Sequence, residues 1–170
     1  MIRYPREDDA PALLEFINGL SREKTFVLFQ GEQLTIEQEE AWLADRLHEI
    51  ASGAAVFLVA CHGLQVVGTV AVTLKGLAER HVGVLGISVH QSWRGHGLGG
   101  TLLDTVLTEA DAQLSGLRIV ELGVFGSNQV ARRLYASRGF VEHGVLPGGV
   151  KHGDDYVDHV LMHRTAGASQ

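Results

Sequence analysis

Two stretches of this sequence carry residue types at spacings suited to chemistry. The first, Arg94 to Thr101, reads RGHGLGGT. Counted from Gly95 it spells G-x-G-x-x-G, the dinucleotide fingerprint, and counted from Arg94 it spells R-x-x-G-x-G, a pyrophosphate loop. Both bind phosphate by the same physics. Closely spaced glycines let the backbone turn tightly against a ligand, and the amides of a helix start point their positive ends at it. Leu98 opens an apolar helix face, and Arg94 adds a cation beside the amides. The second stretch runs N-x-x-A-x-x-L-Y-x-x-x-G-F through Asn128, Ala131, Leu134, Tyr135, Gly139 and Phe140. Asn128, Ala131 and Tyr135 fall on one helix face. A phenol on such a face, with an ordinary pKa near 10, can donate a proton at neutral pH; a packed aromatic is the plainer alternative.

The residues around the first loop separate its two ligands. A dinucleotide loop follows its strand directly and finds an acidic residue about 20 positions on. Here Gly95 stands well beyond Val89, where a strand-like run ends, and Glu121 lies inside VELGV rather than at its tip. The fingerprint reads as a decoy. No Lys follows the glycines, so the P-loop pattern fails as well. A glycine-rich helix start without any ligand is disfavoured, because four glycines within residues 95–100 lose too much conformational entropy on folding.

Composition narrows the class. A chain of 170 residues, 45% hydrophobic and 20% charged, supports one globular core, read as a single domain over 1–164 with a flexible tail at 165–170. Lys and Arg total 14 against 20 Asp and Glu, for a net charge of −6, which argues against nucleic acid as a partner while leaving local anion binding open. Cys61 is the single cysteine and lies in the apolar run AAVFLVAC, where a buried, inert thiol is expected. The charged start MIRYPREDD does not resemble a signal peptide, and no apolar run reaches the length of a membrane span, so a cytoplasmic location with no membrane partner is expected.

These residues need elements to hold them. Ile2 to Tyr4 reads as a short strand, followed by Asp8 or Asp9 as a cap and a helix carrying Leu13, Leu14, Ile17 and Leu20. Thr35 with Gln38 forms a capping box ahead of a second helix, and the loop TFVLFQGEQ between the two is apolar enough to pack down or line a pocket. Val56 to Cys61 and Leu64 to Leu74 form a hairpin turning at His62-Gly63, with Val82 to Val89 as the next strand. A helix from Leu98 to Leu114, a strand from Arg118 to Phe125, a helix from Asn128 to Ser137 and closing strands Phe140 to Leu146 and Tyr156 to Met162 complete the order. This β-α-α-β-β-β-α-β-α-β-β succession predicts an α/β fold with a mixed sheet and helices on both faces.

Taken together, GISV, RGHGLGGTLL, VELGVF and the Asn128 to Phe140 motif resemble the GNAT superfamily of N-acetyltransferases, most specifically between Val82 and Leu146. The resemblance implies a mostly antiparallel sheet with a splayed central strand pair and acetyl-CoA as cosubstrate. It places backbone groups of Ile87, Ser88 and Val89 along the pantetheine arm, with the Val89 amide as oxyanion donor. The amides of Arg94, Gly95, His96, Gly97, Leu98, Gly99, Gly100 and Thr101 would then hold the pyrophosphate. By the same resemblance Asn128 caps its helix and touches the pantetheine side together with Ala131, while Tyr135 protonates the departing thiolate.

One departure concerns the base. Relatives of the small-amine branch carry an acid on the strand before the loop, and here that position is Val84. Glu79, His81, His90 and Glu121 are the remaining candidates. A weak base suits an α-amino group, with a pKa near 8, better than a lysine-type amine near 10.4. The run VKHGDDYVDHVLMH resembles the amino-acid and small-amine branch; Asp154 and Asp155 either attract a cationic amine or form a polar turn. His159 and His163 share a strand face, although no carboxylate or Cys completes a metal set. The expectation is direct acetyl transfer from acetyl-CoA to a small-molecule primary amine in a ternary complex. A protein N-terminal acetyltransferase, a non-catalytic acyl-CoA sensor and a nicotinamide-dependent oxidoreductase are the alternatives, and a homodimer is compatible with the resemblance.

Overall fold

In the computed structural model, which describes residues 1–167, the chain forms seven strands and four α-helices. β1 (Ile2–Arg3) leads into α1 (Ala10–Glu23) and α2 (Ile36–Ala51), and β2 (Ala55–His62), β3 (Gln65–Leu74) and β4 (Val82–Val89) follow as a meander. Next come α3 (Leu98–Gln113), β5 (Ile119–Phe125) and α4 (Gln129–Ala136), and then β6 (Val141–His152) and β7 (Asp155–Thr165). The strands make one sheet in the order β1-β2-β3-β4-β5-β7-β6. Every pair is antiparallel except β4 with β5.

Each face of the sheet has its own core. Leu102, Leu103, Val106 and Ala110 of α3, all fully buried, pack on Val56, Leu58, Val70, Val72, Val120 and Leu122, with Tyr135 of α4 and Phe140 in the same cluster. On the opposite face, Leu13, Phe16 and Leu20 of α1 and Leu43 of α2 cover Phe57 and Val59. That second core reaches β2 and β3 but not β5 or β7, so the sheet is left open beyond β4 on this side.

Local chemistry explains where the helices begin. Thr35 Oγ1 accepts from the Gln38 amide while Gln38 Oε1 accepts from the Thr35 amide, the reciprocal box expected at the start of α2. At α1, Pro11 occupies the first turn, but Asp9 makes no side-chain cap. Its carboxylate instead accepts two 2.7 Å bonds from the Arg3 guanidinium and a third from the Arg6 amide, tying β1 to the start of α1. A bidentate arginine outcompetes a helix amide for the same oxygens.

Several strand boundaries differ from the sequence reading. The β2–β3 turn is Gly63-Leu64, flanked by the pair His62 and Gln65, because Gly63 supplies the positive φ of 58° that the turn requires. β6 and β7 extend well past their apolar runs, to His152 and from Asp155, around a Gly153-Asp154 turn. Main-chain pairing carries these strands through polar residues; Asp154 sits in the exposed hairpin turn and Asp155 is the exposed first residue of β7, paired with His152. β7 includes Thr165, which pairs with Ile119, and residues 168–170 of the expected tail lie outside the described residues.

The Arg3–Asp9 pair yields a test of stability. Asp9→Ala should lower the unfolding free energy by about 2 kcal/mol, the scale of hydrogen bonds to a charged group, in urea titrations at neutral pH. Arg3 holds the Asp9 carboxyl below the ordinary carboxylate range, so the stabilisation is complete above the unfolded-state pKa and disappears as pH falls through the folded one. Wild type and variant should converge in acid.

Candidate active site

β4 and β5 pair only from Val82–Ile119 to Val84–Glu121 and then part. Two bonds fix how β4 faces the resulting opening: the Lys75 amide donates to Val82 O at 2.9 Å and the His90 amide donates to Val67 O at 2.9 Å. In an antiparallel ladder the bonding direction alternates, so even-numbered residues of β4 direct their main-chain groups to β3 and odd-numbered ones to β5. Ile87 and the Val89 amide therefore project into the opening. Ser88, paired with Thr69, turns its main-chain groups to β3, which removes it from the pantetheine-side donors that the sequence reading assigned.

At the mouth of the opening, Gly95 and Gly97 adopt φ of 78° and 82°, and Gly97 leads directly into α3. The first bond of the helix runs from the Thr101 amide to Gly97 O at 3.1 Å. Among the described residues, no internal acceptor engages the amides of Gly95, His96, Gly97, Leu98, Gly99 or Gly100, which is the donor array a diphosphate needs. The Thr101 amide is committed to the helix. Arg94 is committed twice, its amide to Gln91 O and its guanidinium to Glu23 at 2.7 Å and Val89 O at 2.9 Å. It braces the end of β4 against α1 instead of lining the amide array.

The cation beside that array is Arg138. A Cβ on Gly100 would stand 3.0 Å from Arg138 Nη2, and Asp104 holds the same guanidinium at 3.0 and 3.1 Å. Gly99 and Gly100 also admit Leu134 of α4 close to the α3 backbone. Nothing in the local sequence marks Arg138, because its partner is 34 residues away.

Asn128 caps α4 as expected, with Oδ1 accepting from the Ala131 amide at 3.1 Å. Tyr135 is 8% exposed and packs its ring 5.9 Å from that of Phe140. Burial pushes its phenol up to about 12, and no hydrogen bond engages the hydroxyl among the described residues. A phenol in that state keeps its proton until something more basic is placed against it.

The open face beyond β4 is lined by Val84, Gly86 and Ser88 of β4 and by Glu121, Gly123 and Phe125 of β5, the residues opposite the α3 core. Phe26, from the loop between α1 and α2, lies 5.8 Å from Phe125 and 4.8 Å from His152, and these rings form an aromatic wall. The expected base candidates are mostly engaged. Lys75 bonds Glu121 at 2.6 Å and Glu79 at 3.2 Å, and the His90 ring accepts from the Ser92 amide. His81 sits in the loop before β4 with Leu74, Leu77 and Ser115 around it. His159 and His163 do share a face, but His163 approaches His143 at 3.1 Å, and the described residues contain no group of three metal-ligating side chains. His159 instead leans over Gly123, where a Cβ would stand 2.6 Å from its Cε1.

The sequence matches the acetyltransferase (GNAT) family over residues 16–140. The acetyltransferase of GNAT family from Streptococcus pneumoniae is 30% identical, with 98% of this chain and 99% of that one covered and a TM-score of 0.88. A ribosomal-protein-alanine N-acetyltransferase from Brucella melitensis is 26% identical over 97% and 99% of the two chains, with a TM-score of 0.85. A phosphinothricin acetyltransferase of the same superfamily from Sinorhizobium meliloti, solved with acetyl-CoA, shares the fold at 19% identity, with 100% and 90% covered and a TM-score of 0.83.

Two outcomes follow from this geometry. Gly97→Ala forces a side chain into a left-handed position, a strain of about 1–2 kcal/mol, and should weaken coenzyme A binding at least tenfold by calorimetry. The raised Tyr135 phenol leaves stability intact below about pH 10, the unfolded value, and removes it as pH climbs toward 12. Between pH 9 and 11, wild type should lose about 1 kcal/mol more than Tyr135→Phe in urea titrations.

Proposed function

The chain belongs to the acetyltransferase (GNAT) family and uses acetyl-CoA as its cosubstrate, and we propose that it transfers the acetyl group to the α-amino group of a small molecule such as a free amino acid. The observation that supports this reading is the row of unengaged amides at the start of α3, where Gly99 lies against Val89 at the freed end of β4. Unengaged amides at the start of α3 receive the diphosphate, the edge of β4 at Ile87 and Val89 receives the pantetheine, and Tyr135 belongs to the core cluster against which Ile87 and Val89 pack. The amine enters from the opposite face, past Phe26 and Phe125.

In the proposed sequence both substrates are bound together. The neutral amine attacks the thioester carbonyl, and the Val89 amide stabilises the negative charge that develops on oxygen. As the carbon–sulfur bond breaks, Tyr135 gives its proton to the leaving sulfur. A phenol held near 12 by burial stays protonated through the working pH range, so it is always ready as the acid.

One observation and the resemblance favour an α-amino acceptor. Val84 is apolar where, by the resemblance, small-amine relatives carry an acid, and Glu121 paired beside it is ion-paired to Lys75. Such a site favours an amine that is already partly neutral, as α-amino groups near pKa 8 are. The similarity to the Brucella ribosomal-protein-alanine acetyltransferase favours a second reading, in which the α-amino group is the N-terminus of a protein.

A thiol-release screen with acetyl-CoA against amino acids, polyamines, aminoglycosides and short peptides decides among these acceptors. Free amino acids should give at least tenfold higher kcat/KM than polyamines; equal or better polyamine turnover would overturn the α-amino assignment, and preference for peptides would select the second reading. Tyr135→Phe should lower kcat about a hundredfold, within the usual range for acid catalysis, with coenzyme A affinity unchanged.

A further inference from the structure

Sequence patterns assign His159 no role beyond half of an incomplete histidine pair, yet its position is unlike that of its neighbours. On β7 it stands directly opposite Phe125 of β5, but its ring leans diagonally across to Gly123. Gly123 is the next residue on that face of β5 after Glu121, the last to pair with β4, so the ring lies at the point where the two strands part. The approach exists only because Gly123 has no side chain; any Cβ there would collide with His159 Nε2. Gly149 of β6 packs against the Cβ of His159 from the other side. Two glycines thus fix the tilt of one imidazole.

The other ionisable groups on this face have partners or lie elsewhere. Glu121 is held by Lys75, His163 faces His143, and the His152 ring is packed against Phe26 and Phe125. Asp158 points its carboxylate to the Gly148 amide. Among the described residues no hydrogen bond engages His159, and its ring stays half-buried rather than immersed in solvent. An unengaged imidazole on the proposed acceptor face, where β4 presents only Val84, Gly86 and Ser88 and no ionisable side chain, has the chemistry of a base.

We infer that His159 is the general base that prepares the acceptor amine, an inference that rests on the acetyl-transfer reading above. His159 takes one proton from the acceptor ammonium, leaving a neutral amine whose lone pair forms the new nitrogen–carbon bond. The tetrahedral adduct loses a second nitrogen proton to solvent. The carbon–sulfur bond breaks as Tyr135 protonates the sulfur, and Tyr135 is reprotonated from solvent. Each turnover therefore yields the acetamide, free coenzyme A thiol and one net proton, which His159 passes to water.

Thiol release from acetyl-CoA is measured for wild type, His159→Ala, His163→Ala and Gly123→Ala with the best amino-acid acceptor. His159→Ala should lose at least a hundredfold in kcat with KM for acetyl-CoA unchanged, and added imidazole should restore at least tenfold of that loss. His163→Ala should match wild type. Gly123→Ala keeps the histidine but displaces its ring, and should lose at least tenfold in kcat while retaining the wild-type midpoint of thermal unfolding within a few degrees. Undiminished turnover in His159→Ala, a loss that imidazole does not restore, or a loss matched by unfolding of that variant would overturn the assignment. A wild type that releases no thiol with any amine would instead remove the acetyl-transfer reading, and the role of His159 with it.

Discussion

Parallel pairing between β4 and β5 lasts for three residue pairs, and the site takes its form from that early parting. Strands that stayed together to Val89 and Phe125 would consume the main-chain groups of Ile87 and Val89 in a ladder and leave no room between them. The divergence is built from both sides. Arg94 anchors the far end of β4 by its Val89 carbonyl and ties it to Glu23 of α1, while β5 remains paired along its whole length with β7. On the face opposite α3, Gly86 leaves the β4 edge bare, while Gly123 of β5 makes room for the His159 ring. A hydrogen-bonding edge that most sheets hide is left unpaired beyond Val84.

The electrostatics of the site follow from using dipoles in place of charges. A chain with net charge −6 attracts no polyanion by its average field. Six consecutive amides at a helix start supply partial positive charge at short range, where screening is weakest. The two arginines nearby are already neutralised, Arg94 by Glu23 and Arg138 by Asp104. Arg138 nonetheless stands beside Gly100, so a bound diphosphate would compete with Asp104 for a cation already in place.

Much of the fold is legible in the sequence because period and capping are local signals. The Thr35–Gln38 box, the α3 stripe of Leu102, Val106 and Ala110, and the glycines before Leu98 each declare themselves within one turn or two. What escapes is decided across long separations. Nothing near Arg94 says that its guanidinium will choose Glu23, 71 residues earlier, over a phosphate loop at its own side. The pairing direction of Ser88 depends on the register with β3, and the tilt of His159 depends on a glycine in a different strand. β6 and β7 outrun their apolar runs because main-chain pairing, rather than burial, carries β6, whose residues are mostly exposed.

The alternation along β4 also sets a limit on how such a chain can vary. Deleting or inserting a single residue between Val82 and Val89, with the rest of the strand held in place, would swap the two edges of the backbone and send the Val89 amide toward β3. The same change would carry Leu85 and Ile87 out of the α3 core onto the open face. β6 absorbs irregularities between Glu142 and Gly144 and between Leu146 and Val150 without such a penalty, since it lies at the sheet margin. Length changes are therefore tolerable at the margin of the sheet, whereas the central strand must be inherited at constant length.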